Sequence, residues 1–405
     1  MLHVKEEGYV FTIRTMNKIS EKGLALLPAD TFAVSDDAKE PDALLVRSAD
    51  LHQEEFLPTL KAIARAGAGV NNIPIERCSE SGIVVFNTPG ANANSVKELV
   101  IAGLLLSARR IHEGVGWVRQ NASDPGLGKL VEKEKKRFAG TEIMGKTLGV
   151  AGLGAIGVMV ANAAVALGMK VIGYDPYISI ESAWGLSRSV ERASSLERLL
   201  TESDYLTVHV PLNDDTKGMI GAKELATVKP GVRILNFARD GLIVEQDLLD
   251  ALKSGRVGRY VTDFPTSLVA GHESVIPVPH LGASTDEAEE NCAVMAAGQL
   301  RSYLEHGNIR NSVNFPECWL DFTGGQRIVV ANLNIPAMVG QMTTILANHS
   351  INILDLLNRH RGGLAYNIID IAANLTVEAV EQLRAIDGVI FVRAIRPLLD
   401  EERRP

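Results

Sequence analysis

Of the nine histidines in this 405-residue chain, only His280 follows an expected strand and sits in a glycine-flanked loop, Pro279-His280-Leu281-Gly282, ahead of an expected helix. An imidazole titrates near working pH, so it suits a group that must both take and return a proton. Arg239 ends another expected strand, in Asn236-Phe237-Ala238-Arg239-Asp240-Gly241. Its planar guanidinium matches the fork of a carboxylate. An acid/base beside an anion clamp fits a reaction that develops charge on an oxygen next to a carboxylate. Spacing alone leaves the plain alternative open, a buried histidine and a surface arginine. Two more strand-end loops carry arginines, Arg47-Ser48 and residues 65–72 (RAGAGVNN). Either they bind an anion bidentately or they are ordinary surface arginines. The Lys/Glu run at 132–137, with Lys136 and Arg137, reads as a solvated face or as part of an anion pocket.

The elements that position these groups are organised around residues 146–175, KTLGVAGLGAIGVMVANAAVALGMKVIGYD. A short apolar strand runs into Gly152-Leu153-Gly154-Ala155-Ile156-Gly157. A helix of small apolar residues follows and stops at Gly168. A second strand, 170–174, ends on Asp175. The first glycine allows a tight turn, the second lets the backbone approach a pyrophosphate, and the third lets helix and strand pack closely. The helix N-terminus offers free N–H groups to the phosphates, and Asp175 stands where a carboxylate accepts from ribose hydroxyls. These features predict a Rossmann βαβ unit that binds a dinucleotide. A dinucleotide implies hydride transfer, and that gives the proton and carboxylate chemistry above a purpose.

Before this unit, strands are expected at 11–14, 43–47, 62–65 and 83–86, and a long helix at 91–111 with Asn92, Asn94 or Ser95 as its cap. After it, strands at 205–210, 233–237 and 260–264 alternate with helices. A final helix from about 285 to 305 is expected to open on a Ser284/Glu287 capping box. Residues 311–325 read as a linker. Beyond them the order strand 326–331, helix 336–348, strand 351–357, strand 364–372, helix 377–385, strand 389–395 is a ferredoxin-like βαββαβ pattern. The fold class is α/β. Residues 311–325 are the expected linker, and 326–405 a separate C-terminal domain.

Bulk properties narrow the function. The chain is 46% hydrophobic and 22% charged, enough for a substantial core. A net charge of −8 argues against nucleic acid or an anionic membrane as partner. Cys78, Cys292 and Cys318 lie far apart without a CxxC, which predicts reduced thiols, no disulfide frame and no metal site. No signal-like apolar stretch opens the sequence and no apolar run reaches the ~18 residues of a membrane span. The expectation is a cytoplasmic protein.

The motifs GLGAIG, HVPL (209–212), NFARDGLI (236–243) and PHLGAST (279–285) resemble the D-isomer-specific 2-hydroxyacid dehydrogenases. VRS (46–48), RAGAGVNNI (65–73) and NTPGANANSVKEL (87–99) extend the resemblance over about residues 40–310. It implies NAD as cofactor, Arg239 as the residue orienting the substrate carboxylate and keto oxygen, and His280 as acid/base. It places Ala155, Ile156 and Asp175 at the pyrophosphate and ribose. Val210, Pro211, Phe237, Ala238, Arg239, Asp263 and Gly282 fall on the adenine and nicotinamide sides. Arg47, Ser48, Arg65, Gly69, Asn92 and Lys97 fall at the substrate. A flavodoxin-like substrate domain, discontinuous in sequence (residues 1–90 with 284–310), is implied to close over the Rossmann NAD-binding domain (residues 91–283). The C-terminal region resembles an ACT domain, a small amino-acid-sensing module. That pairing points to members oxidising 3-phospho-D-glycerate, the first step toward L-serine, as a homodimer or homotetramer. The alternatives are a relative acting on another 2-hydroxy acid, or a non-catalytic NAD-sensing regulator. The implied effector is L-serine, held by Asn332, Asn334 and Asn352, although Asn332 stands where the serine-inhibited form has a histidine. A second departure is larger. The glutamate that partners the catalytic histidine is replaced by Leu268 at about its usual place. Asp263 is the favoured substitute and Glu273 the other. Lys97 stands where many relatives have a small residue.

Overall fold

The computed structural model describes residues 9–322, 325–372 and 375–395. The chain divides into two compact units, Met1–Ala91 with Glu289–Pro405, and Asn92–Ala288. In the first unit, β1 (Phe11–Met16), β2 (Phe32–Ser35), β3 (Ala43–Val46), β4 (Ala62–Arg65) and β5 (Val84–Phe86) pair in parallel in the order β2-β1-β3-β4-β5. This is the flavodoxin-like order. Parallel strands must be covered on both faces, and β3 and β5 are buried throughout. Part of that cover is the long helix Asp286–His306, whose Ala293, Ala296, Ala297, Leu300, Tyr303 and Leu304 join the core formed with Ile13, Leu45 and Ala64.

The second unit holds a seven-stranded parallel sheet: β6 (Thr147–Ala151), β7 (Lys170–Tyr174), β8 (Val190–Arg192), β9 (Tyr205–Val208), β10 (Val232–Asn236), β11 (Val257–Thr262) and β12 (Val275–Pro277). Its order is β12-β11-β10-β9-β6-β7-β8. The chain winds outward from β6 to β8, then resumes on the other side of β6 with β9. Ligands of such sheets gather beyond the strand ends at that switch point, where the glycine-rich turn lies.

The C-terminal strands β13 (Gln326–Leu333), β14 (Ile353–Arg361), β15 (Leu364–Ile371) and β16 (Val389–Ile395) form an antiparallel sheet ordered β14-β15-β13-β16. With helices Met338–Asn348 and Val377–Arg384 they give the expected βαββαβ order. One sheet face makes its own core with those helices through Ile328, Val330, Met342, Ile369 and Leu383. The opposite face, with Val329, Ala331, Tyr366 and Ile368, lies in the same core as Tyr303, Leu304, Phe315 and Cys318.

Three local expectations are corrected. Residues 311–325 were expected to form a linker, but the described part is built into the first unit. Asn314 is buried and bonded to Ile83 O (2.9 Å) and Val85 N–H (2.9 Å), while Ile309 bridges Cys318. The helix expected at 91–111 ends at Ala108, because the incoming chain takes its terminal carbonyl through Thr141 N–H (3.0 Å); a new helix, Ile111–Gln120, follows. The long helix is capped by Thr285 Oγ1, which accepts from Ala288 N–H (3.1 Å), and not by Ser284. Among the described residues all three cysteines are buried and unpaired, and no helix is long and apolar enough to cross a membrane.

Candidate active site

The second unit assembles the nucleotide end first. β6 runs into Gly152, whose φ of +90° suits glycine and whose place a Cβ could share only at 2.7 Å from His209 O. Gly157 lets the helix Ala155–Ala166 sit against the turn, since a Cβ there would meet Gly152 O at 2.0 Å. A Cβ on Gly154 would meet nothing within 4 Å, so its backbone faces open space at the helix mouth. Asp175, at the end of β7, accepts from Leu153 N–H (2.8 Å) and Tyr177 N–H (2.8 Å), which fixes its carboxylate beside the turn. An open glycine backbone, a helix N-terminus and an oriented carboxylate fit a pyrophosphate and a ribose.

Strand ends on the far side of the switch point supply the reacting groups. At the end of β10, Asn236 is buried and shapes the following loop by donating to Arg239 O (2.9 Å) and accepting from Ala238 N–H (3.1 Å). Arg239 is thereby held outward, exposed, with Nη1 donating to Ala238 O (2.6 Å). Phe237 points the other way. Its ring is 4% exposed and packs where a Cβ on Gly103 would lie 2.9 Å away. Its side chain therefore belongs to the core, and only its backbone remains for a cofactor. Val210 and Pro211 follow β9 at partly exposed and exposed positions.

After β11, Asp263 is 2% exposed. Its Oδ2 accepts from Gly282 N–H (3.2 Å), and its Oδ1 is buried with no hydrogen-bond partner. Burial pushes this carboxyl above the usual carboxylate range, while the charges of His280 and Arg239 pull it the other way. All three expected catalytic residues are thus electrostatic neighbours. The His280 ring lies against Phe264, 4.6 Å between centroids, and makes no side-chain hydrogen bond among the described residues. Leu268 and Glu273 are exposed, whereas Asp263 is buried and within electrostatic reach of His280. Sequence reasoning missed His209. Its Nε2 is 2.9 Å from Thr207 Oγ1, its Nδ1 is buried without a partner, and burial lowers its pKa from 6.5 to about 4.

The expected substrate residues fall in both units. In the first, Arg47 Nη2 is paired with Glu289, and Arg65 braces two loops through Nε to Arg47 O (2.9 Å) and through Nη1 to Gly69 O. Ser48 N–H donates to Asn17 Oδ1 (2.9 Å). In the second, Asn92 precedes the helix Ala93–Ala108 without a side-chain cap, and Lys97 lies 3.5 Å from Glu98.

The expected effector residues do not all converge. A cavity of about 280 Å³ in the C-terminal region is lined by Asn332, Asn334, Ala337, Met338 and Asn358. Asn352 lies outside it. It is exposed just ahead of β14, its carbonyl bonded to Ala372, whereas the cavity sits toward the β14–β15 turn. Asn358 was missed; it joins a ladder across three strands through Asn367 to Asn332 (2.6 and 2.7 Å).

The sequence profile of the NAD-binding domain of D-isomer-specific 2-hydroxyacid dehydrogenases matches residues 101–282. The chain is 33% identical over 374 residues to D-3-phosphoglycerate dehydrogenase of Methanocaldococcus jannaschii, covering 90% of this chain and 68% of the relative. It is 34% identical over 350 residues to the Escherichia coli K12 enzyme of the same name, covering 83% and 82%. A crystal structure of NAD⁺-bound 3-phosphoglycerate dehydrogenase from Entamoeba histolytica superposes with a TM-score of 0.58 at 28% identity, over 76% of this chain and 99% of that one. With the glycine-rich turn, Asp175 and the Arg239–Asp263–His280 cluster in place, this chain belongs to the D-isomer-specific 2-hydroxyacid dehydrogenase family.

Proposed function

We propose that this chain oxidises 3-phospho-D-glycerate to 3-phosphohydroxypyruvate with NAD, the step that opens serine biosynthesis. The observation that carries the reading is the buried Asp263 carboxylate, held by Gly282 N–H (3.2 Å) in the loop that bears His280. Neutral His280 accepts the substrate hydroxyl proton, and Arg239 holds the carboxylate and steadies the carbonyl oxygen as it forms. NAD, held by the glycine-rich turn and Asp175, would supply the acceptor for the hydride on the hydroxyl-bearing carbon. The imidazolium left on His280 is stabilised by Asp263. In the reverse direction the imidazolium returns its proton to the carbonyl oxygen. Arg47, Ser48, Arg65, Gly69, Asn92 and Lys97 supply the remaining substrate contacts, with the first unit as substrate-binding and the second as NAD-binding.

In the C-terminal region the cavity suits a small zwitterion, read as L-serine. Asn332, Asn334 and Asn358 offer amides, and the N-terminal turn of helix Met338–Asn348 offers N–H groups to a carboxylate. The chain works as a homodimer or homotetramer. Exposed Ile111, Val115 and Val118 line one side of the helix Ile111–Gln120 and favour an intersubunit contact there.

A second reading is a smaller 2-hydroxy acid as substrate. It is favoured by one observation, the engagement of Arg47 and Arg65 with groups of the chain itself. Steady-state turnover with NAD separates the two. The phosphorylated reading requires kcat/KM for 3-phospho-D-glycerate to exceed that for D-glycerate by at least about tenfold, the size of one good ionic contact. Parity defeats it. Added L-serine should lower the rate.

A further inference from the structure

We propose that Glu289 is a positioning residue for substrate binding, the internal counter-ion that holds the Arg47 guanidinium until a substrate anion replaces it. The inference rests on the reading of Arg47 as a substrate contact. Arg47 immediately follows β3, and its Nη2 donates to Glu289 Oε1, from the first turn of the helix Asp286–His306. The two side chains are 42% and 41% exposed, so a dissolved anion reaches both. Arg65 grips the Arg47 carbonyl through Nε (2.9 Å), which anchors the backbone and leaves the guanidinium as the part able to turn. The thiol of Cys292, one helical turn after Glu289, feels the charges of Arg47, Arg65 and Glu289, which places all four groups together.

An ion pair this exposed contributes little to the fold. Its consequence is competitive. A carboxylate or phosphate arriving at Arg47 must break the pair and then remain near a like charge, which weakens binding of every anion there. The same carboxylate, returning to Arg47, helps an anionic product leave. Glu289 therefore sets KM without touching the reacting atoms.

The test is a double-mutant cycle with R47Q and E289Q, read by steady-state kinetics with NAD and 3-phospho-D-glycerate, and by inhibition with inorganic sulfate. E289Q keeps a hydrogen-bond acceptor and removes the charge. Its KM should fall about threefold or more without a matching rise in kcat, as expected for loss of an exposed like charge. The sulfate inhibition constant should fall with it. R47Q should raise KM at least about tenfold, and E289Q should give no gain on that background. If R47Q raises KM while E289Q leaves it unchanged or raises it, Glu289 is not the counter-ion and the proposal is overturned. If R47Q leaves KM unchanged, the substrate role of Arg47 is what has failed, and the proposal falls with it.

Discussion

Asp263 is the proposed substitute for a partner that His280 lacks. The family resemblance assigns the histidine a glutamate, and Leu268 stands at about that position; Glu273, the other carboxylate of the loop, is exposed. Asp263 is buried, with one oxygen tied to Gly282 N–H and the other unsatisfied. A carboxylate raised by burial and pulled back by two cations stabilises an imidazolium. His280→Ala should lose at least about two orders of magnitude in turnover, the usual size of a general acid/base contribution. Asp263→Asn should lower kcat for oxidation at least about tenfold with little change in KM for NAD, since the group that takes the proton then lacks a neighbouring counter-charge. An unchanged kcat would leave His280 unpartnered. His209 offers a pH test, on stability. Burial lowers its pKa from 6.5 to about 4, so between those values the unfolded chain binds a proton that the folded chain refuses. That contribution is fully present above pH 6.5 and is lost as pH falls toward 4. At about 1.4 kcal/mol per unit it reaches at most roughly 3 kcal/mol. His209→Gln should flatten the thermal midpoint between pH 6.5 and 4; an equally steep profile in the variant would assign the acid loss to other groups.

At the scale of elements, the glycine-rich turn shows what the sequence makes legible. GLGAIG, the preceding strand and Asp175 predict turn, helix and carboxylate, and all three stand where expected because each rests on local geometry. Gly157→Ala tests that geometry. Its Cβ would lie 2.0 Å from Gly152 O, so the helix must retreat from the turn. NAD affinity should weaken at least about tenfold by calorimetric titration, as preorganised backbone donors move away from the phosphates. Unchanged affinity would mean that the turn adapts. Features set by distant segments were not legible. Phe237 is placed by the family resemblance on the cofactor side, yet just past β10 its side chain turns into the core against Gly103. The Arg47–Glu289 pair joins residues 242 positions apart. Asn358 enters the cavity only because β14 extends to Arg361, four residues beyond the expected strand end at 357. Thr285 displaces Ser284 as cap by a one-residue shift that S-x-x-E spacing does not resolve.

At the scale of the whole molecule, the C-terminal sheet is built into the unit that carries Arg47. A separate regulatory domain on a linker would bury one sheet face and leave the other wet. Here β15 is buried at nearly every position, because its second face shares a core with the helix Asp286–His306 and with Phe315 and Cys318. Arg327, on β13, closes that junction. It is 0% exposed, pairs with Asp370 through Nε (2.6 Å) and Nη2 (2.8 Å), and donates to the carbonyls of His306 (3.1 Å), Leu320 (2.9 Å) and Asp321 (3.1 Å). One guanidinium thus ties the sheet, the end of the long helix and the connecting segment. Tyr366 adds a fourth tie, its hydroxyl donating to Gly307 O (2.8 Å). Such a junction should make sheet and substrate segment unfold together. Arg327→Met removes the partner of a carboxylate that is 5% exposed, and breaking a buried pair from one side costs about 3–5 kcal/mol. The double variant Arg327→Met/Asp370→Leu should regain part of that loss, because no buried charge is then left without a partner. Hydrogen exchange followed peptide by peptide provides the decisive reading. In Arg327→Met, protection should fall in parallel in β13, β15 and the C-terminal turns of the 286–306 helix. Loss confined to the β13–β16 sheet, with the helix still protected, would show that the sheet opens by itself and that its ligand cavity has no mechanical hold on the helix bearing Glu289.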